Sequence, residues 1–322
     1  MRIIYFLLYR RVFKPAKNLG APDDMPLGPL PGKFENELPG MEGHGSVVQQ
    51  KYMMKKFGRK PGIAAWFVCL VIPFMVLTPL SGYANPIDDQ ASTVVCYGAP
   101  VSSITNRDQY LIRSNYAAHY LYRTKTAEYV CEHVTMKAIT GSAKRHDDFR
   151  PDPEIPDSVR ANLIDYSGEN YDRGHLNPAD DNTQTRKIMS ESFLLSNIVP
   201  QNRENNRGIW LKLETLVRKW VKGGKDLYVI TGTTYGKYYT KIGKDSVGVP
   251  SSIWKVIMDR KNSKSIGFLI PNAAVMGSDL PKYAVPIADI KKVTGITFFP
   301  KIPSDLSTGE VLVPKPEDWP GL

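Results

Sequence analysis

The chain is short of the side chains that zinc and serine chemistry require. Only three cysteines and five histidines occur in 322 residues, and no H-E-x-x-H pair is present. Four histidines follow residue 84, a poor supply for a zinc enzyme's ligand set. The nucleophile elbow G-x-S-x-G is also missing. The string GKDSVG (243–248) does not fit it, which argues against a Ser/His/Asp hydrolase built on that turn. Internal repeats and a dominant low-complexity tract are absent too.

What remains is ordinary globular material: 42% hydrophobic residues and 17 tyrosines, in a length sufficient for one substantial core or two small ones. The formal charge of +10 is unevenly placed. Residues 1–84 hold 11 Lys+Arg against 5 Asp+Glu, which leaves 31 basic and 27 acidic residues for 85–322, a balance of only +4. Such a body permits a polyanionic partner without requiring one.

The N-terminal excess has a pattern. The basic stretch MKKFGRKPG (54–62) precedes an uncharged apolar run, IAAWFVCLVIPFMVLTPL (63–80), and then SGYA (81–84). Gly82 and Ala84 are the small residues a signal peptidase accepts, so 54–84 reads as a signal peptide or, alternatively, as a membrane anchor through 63–80. Pro73 and Pro79 weaken the anchor reading. Residues 1–53 form a poorly organised segment, Gly/Pro-rich over 19–46; a start at Met53 or Met54 would make it an artefact. Export places the protein outside the cytosol: secreted, periplasmic or at the cell surface. Cys69 leaves with the apolar run, whereas Cys96 and Cys131 make an even pair. In an oxidising compartment these two are expected to bridge, closing a loop of about 36 residues and stabilising by about 2–4 kcal/mol.

Over 85–322 the pattern predicts one α+β domain. STVVCYGAP (92–100) starts with a short β-type run, and 109–135 has the composition of one or two strands and a short helix. RHDDFRPDPEIPDS (145–158), with three prolines, is a loop. The spacing predicts a helix over 203–222 with Trp210, Leu213, Leu216, Val217 and Trp220 on one stripe, stopped by Gly223 and Gly224. Strands are expected at 226–235, 253–260 and 265–271, and a short helix leads into an apolar segment over 288–300.

The densest polar cluster is YDRGHLNP (171–178). A lone histidine is usually structural. His175, however, follows Asp172 and Arg173, and Gly174 is expected to allow a backbone conformation that a side chain would hinder. A neutral imidazole can take a proton from water, which Asn, Lys or Arg cannot do near neutral pH. Downstream, Asn197, Asn202, Asn205 and Asn206 crowd the start of the long helix, more amides than a cap needs. An amide oxygen is a neutral, hard ligand suited to a Mg²⁺ ion that keeps several waters. Glu214 lies eight residues after Asn206, slightly over two turns, and shares its face broadly. Its bland alternative is an ion pair on a solvated surface.

YDRGHLNPADDN (171–182) followed by SNIVPQNRENNRGIWLKLE (196–214) resembles the DNA/RNA non-specific endonucleases of the ββα-metal class. Weaker echoes are KRHDDFRPDPEI (144–155), TGTTY (231–235), VPSSIWKVI (249–257), GFLIPN (267–272) and VTGITFFP (293–300), so the resemblance covers about 140–300. It implies a mixed or antiparallel sheet with packed helices around a ββα-metal motif, and hydrolysis of phosphodiester bonds in DNA and RNA. By position it implies His175 as general base, Asn206 as the direct ligand to Mg²⁺ (with Mn²⁺ as a substitute) and Glu214 holding a metal-bound water. Asn197 would shape the site, Arg145 would contact the phosphate, and Asp172 and Arg173 would support. No helix-turn-helix, zinc-finger or RNA-binding signature is present, so contact is expected with the backbone of either polymer. The basic residues of 202–225 could line a backbone groove, although a solvated face accounts equally well for Lys219 and Lys222. The rival from another class is a secreted or surface nucleic-acid-binding protein that keeps the fold without turnover. The joint presence of His175, Asn206 and Glu214 argues against it.

Overall fold

β-Branched and aromatic residues dominate the segments that pair into the central sheet of the computed structural model, which describes residues 94–95, 97–103, 108–168, 170–307 and 314–322. The sheet has seven antiparallel strands in the order β1 (Asp108–Ile112), β2 (Tyr116–Leu121), β3 (Thr126–Val134), β6 (Leu227–Thr234), β9 (Ser252–Asp259), β10 (Lys264–Pro271) and β11 (Ala284–Val285). Two short hairpins lie outside it: β4 (Tyr171–His175) with β5 (Ile198–Asn202), and β7 (Lys241–Ile242) with β8 (Val247–Gly248). The three longest α-helices among the described residues are α1 (Arg186–Glu191), α2 (Leu211–Lys222) and α3 (Ile287–Thr294).

The strands read as nearly continuous apolar runs because both faces of the sheet are covered. On β9, Ile253 and Ile257 join one core, which includes Trp210, Leu213, Leu216, Val217 and Trp220 from the α2 segment. Trp254, Val256 and Met258 alternate into a second core, with Ile287 and Ile290 of α3 and with Phe298 and Phe299. The predicted stripe is thus the buried face of α2. Gly223 caps the helix and Gly224 takes φ +94° just beyond it.

Two local expectations are corrected. The stretch 109–135 holds three strands and no helix, since its two tight reversals fall at 113–115 and 122–125. Of the β-type run expected at the start of 92–100, Val94 lies in a turn and Val95 in no regular element, while residues 92, 93 and 96 lie outside the described residues; the nearest pairing is an isolated bridge from Val101 to Thr297. Cys131 is a free, buried thiol, so it gives no support to the expected bridge; Cys96 lies outside the described residues. The readings of 1–53 and 54–84 also lie outside them. Among the described residues no helix is long and apolar enough to cross a membrane.

Candidate active site

The hairpin β4–β5 and the helical segment after it form a strand–strand–helix unit. Its register sets Asp172 opposite Gln201, Gly174 opposite Val199 and His175 opposite Ile198. Asn272 at the end of the sheet fixes the hairpin: its Oδ1 accepts from Asn202 N (2.8 Å) and its Nδ2 donates to the carbonyl of Pro200 (3.0 Å). Gly174 is required for a reason other than the expected one. Its φ is not positive; a Cβ there would run into the side chain of Gln201 across the hairpin.

From β5 the chain enters a helical turn at Arg203–Asn205, a π turn at Asn206–Trp210, and then α2. The π turn changes the geometry inferred from an ideal helix. Eight residues at about 100° each would leave Asn206 and Glu214 about 80° apart around the axis. A π turn takes up one extra residue, so the pair behaves as about seven apart and comes within about 20° of one face. Both side chains line one cavity of about 200 Å³, together with His175, Arg145 and Arg173.

The four asparagines divide their work. Asn202 caps the helical segment by accepting from Asn205 N at 3.0 Å. Asn205 is buried and ties Gln201 to the carbonyl of Pro271. Asn197 is fully buried and does not line the cavity: its Nδ2 donates to the carbonyls of Asn177 (2.9 Å) and Ser192 (2.8 Å), and its Oδ1 accepts from Asn177 N (2.9 Å). It therefore clamps the turn immediately after His175. Only Asn206 faces the cavity. Its Nδ2 donates to Asp172 Oδ2 at 3.0 Å, which leaves the amide oxygen without a hydrogen-bond partner among the described residues.

Asp172 also accepts two hydrogen bonds from Arg207, at 2.7 and 2.8 Å. Burial alone would raise its carboxyl, but the bonds from Arg207 and Asn206 outweigh it and hold the group below its usual range. Arg145 sits on an irregular loop, paired with Asp147 at 2.8 Å and lying 5.1 Å over the ring of Phe193. Arg173 lies 4.2 Å over the ring of Phe149.

His175 is packed against the rings of Phe149 and Phe193, and its Nε2 is buried without a partner. Burial, reinforced by the charges of Arg145 and Arg173, pushes the imidazole down to about 3, so it is neutral throughout the physiological range. Burial pushes the Glu214 carboxyl up to about 7, against the pull of Lys255 and Arg218. Glu214 is thus poised to give up a proton when a cation arrives. Among the described residues no group of three or more His, Cys, Asp or Glu side chains is placed to hold a metal ion. One free amide oxygen beside one carboxylate is instead the sparse oxygen set that suits a largely hydrated Mg²⁺.

Sequence reasoning missed the support behind this cavity. Glu132 of β3 and Lys255 of β9 are buried on the sheet face that carries α2. Glu132 accepts from Asn177 Nδ2, and Asn177 Oδ1 accepts from Asn182 Nδ2 at 2.6 Å. Lys255 donates to Thr231 Oγ1 and lies 5.2 Å over the ring of Trp210. Arg218 of α2 pairs with buried Asp181 at 3.1 Å. Burial raises Glu132 and lowers Lys255, while their mutual attraction opposes both changes. The signal was available in lone charges inside otherwise apolar strands, YVCEHV and IWKVIM.

Comparison with known proteins agrees with this architecture. The family model for DNA/RNA non-specific endonucleases matches residues 97–305. The mitochondrial nuclease EXOG of Xenopus laevis is 39% identical over 226 residues, 65% of this chain and 62% of that protein. A nuclease of Nostoc sp. is 30% identical over 270 residues, 77% of this chain and 95% of that one. A crystal structure of the EndoG/EndoGI complex superposes with a TM-score of 0.60 at 27% identity, covering 66% of this chain and 93% of that one. The chain spans about three fifths of the length of the EXOG relative from Xenopus laevis. With more than half of its length matched, the chain belongs to the DNA/RNA non-specific endonuclease family.

Proposed function

We propose that the protein is a divalent-cation-dependent endonuclease that hydrolyses phosphodiester bonds of DNA and RNA without reading sequence. One observation carries the reading: a neutral, buried histidine shares a small cavity with two arginines, a free amide oxygen and a carboxylate.

His175 takes the proton from an attacking water. The imidazole is neutral and so available, but the burial and the two arginine charges that keep it neutral also weaken it as a base. A phosphate bound between those arginines would offset their charge and raise its proton affinity. Arg145 and Arg173 face the non-bridging oxygens and offset the charge that grows there. Asn206 would hold the cation directly and Glu214 one of its waters, and Asp172 sets the amide by accepting from its nitrogen, which leaves the oxygen for the cation. When bound, Mg²⁺ supplies positive charge for the phosphate and the departing 3′-oxygen. Asn197 acts at one remove, by fixing the turn immediately after His175. Phosphate and sugar contacts carry little sequence information, and affinity is expected to fall as salt rises.

The N-terminal residues support a proposal about place. A basic stretch before an apolar run (54–80) suits export from the cytosol or tethering at a membrane.

Incubating the protein with plasmid DNA and with RNA, in Mg²⁺, in Mn²⁺ and in EDTA, tests the activity. Both polymers should be cut with either cation and left intact in EDTA. A folded protein that binds both polymers and cuts neither would favour a binding role instead.

A further inference from the structure

No hydrogen bond holds the buried Nε2 of His175, so the ring is aimed by packing against Phe149 and Phe193 and by the backbone on either side of it. Two residues on, that backbone is gripped at Asn177. Asn197 holds its N–H and its carbonyl, and the side chain is held from the central sheet, where Asn177 Nδ2 donates to Glu132 Oε2 of β3.

Glu132 is out of character with its surroundings. It is buried on β3 between Val130 and Val134, both part of the core that packs under α2. A buried carboxyl is costly even beside Lys255, and apolar residues of similar volume often replace such pairs without loss of stability. Stability does not explain Glu132, whereas a fixed acceptor for Asn177 does.

That acceptor ends a chain of amides. Gln184 Nε2 donates to Asn115 Oδ1 (3.1 Å) and Asn115 Nδ2 to Asn182 Oδ1 (3.0 Å). Asn182 Nδ2 then donates to Asn177 Oδ1 (2.6 Å), and Asn177 Nδ2 to Glu132. The bonds all run in one direction, so each amide is oriented by the next and the last by the carboxyl oxygen. Asn177 and Asn182 are fully buried, which removes water as a competing partner. The chain fastens 177–184 to β3 and to the reversal between β1 and β2.

We propose that Glu132 is a positioning residue for the cleavage: through Asn177 and the amide chain it fixes the turn that aims His175 at the attacking water. The inference rests on the nuclease reading for its reaction. Glu132 does not line the catalytic cavity and acts only through its neighbours.

Variants of the full chain separate the hydrogen bond from the charge. Glu132→Gln keeps an acceptor oxygen and removes the charge, and Glu132→Leu removes both. Asn177→Ala cuts the link while leaving Glu132 and Lys255 together, so it carries the test if Glu132→Leu does not fold. Single-turnover cleavage of DNA in saturating Mg²⁺ should fall about 10–100-fold in Glu132→Leu and Asn177→Ala, and only a few-fold in Glu132→Gln. DNA and Mn²⁺ affinities should stay within a few-fold of wild type. In the His175→Ala background Asn177→Ala should cost nothing further, because the group it positions is gone. Amide exchange at Leu176 and Asn177, both bonded to Asn197, should quicken about tenfold in Asn177→Ala while the amides of β6 keep their protection. A folded Asn177→Ala that cuts at the wild-type rate overturns the proposal, and so does an equal loss with and without His175. Equal losses in Glu132→Gln and Glu132→Leu assign the effect to charge and overturn it too. If the wild-type protein cuts nothing, the nuclease reading fails, and exchange at Leu176 decides the positioning alone: quickened exchange upholds it and unchanged protection overturns it.

Discussion

Asp172→Asn tests whether one carboxylate sets the orientation of the cation ligand. In the native site Asp172 Oδ2 accepts from Asn206 Nδ2 (3.0 Å) and from Arg207 Nε (2.7 Å), while Oδ1 accepts from Arg207 Nη2 (2.8 Å). The substitution turns one of these oxygens into a donor that must face another donor. Either the Asn206 amide rotates and presents NH₂ to the cavity, or Arg207 is released. Arg207 is 70% exposed, so its ion pair is largely screened by solvent. The amide–carboxylate hydrogen bond contributes about 1–2 kcal/mol. A loss of about 1–2 kcal/mol lowers the Tm by roughly 2–8 °C for a domain of this size. The effect on cation binding should be the larger sign of damage, about 10–100-fold in affinity, as for other residues that orient a ligand from behind. Mn²⁺ titration followed by electron paramagnetic resonance reads the affinity, and turnover at saturating cation should recover much of the rate. Unchanged affinity in a folded variant would refute the role given to Asp172.

Three further outcomes are expected. Asn197→Ala removes three buried hydrogen bonds around the turn after His175 and should cost about 3 kcal/mol or more, lowering Tm and turnover together with little change in KM. Gly174→Ala forces a methyl into Gln201 and should cost about 1–3 kcal/mol by denaturant titration. With Glu214 at about 7, cation binding at pH 6 should release about one proton and at pH 8.5 almost none, measured calorimetrically in buffers of different ionisation enthalpy; Glu214→Gln should abolish the difference.

Two groups pull stability in opposite directions with pH. His175 is lowered on folding, so its contribution is present above about 6.5 and is lost as pH falls toward 3. Glu214 is raised, so in the cation-free protein its contribution is present below about 4.5 and is lost as pH rises through 7.

Much of the site was legible because its chemistry is compressed into two short strings, 171–182 and 196–214. The α2 stripe was legible for the same reason that makes it fold: apolar residues at helical spacing face a core. The π turn was not, because nothing in NRGIW marks a wider turn; the shared face of Asn206 and Glu214 depends on it nonetheless. The purpose of Gly174 was hidden because the clash comes from the partner strand, 27 residues away in sequence. Glu132 and Lys255 escaped notice since pairing them requires the order of the sheet, which period-two alternation does not specify. The three strands of 109–135 blur into mixed periodicity because both faces of the sheet are buried.

The central claim is that His175 is the base, and single-turnover cleavage by His175→Ala tests it most directly. With Mg²⁺ saturating and folding checked by thermal unfolding, cleavage of DNA and of RNA should both fall by about 10²–10⁴-fold while cation affinity stays within a few-fold of wild type. Cleavage at near the wild-type rate in the folded variant would contradict the account.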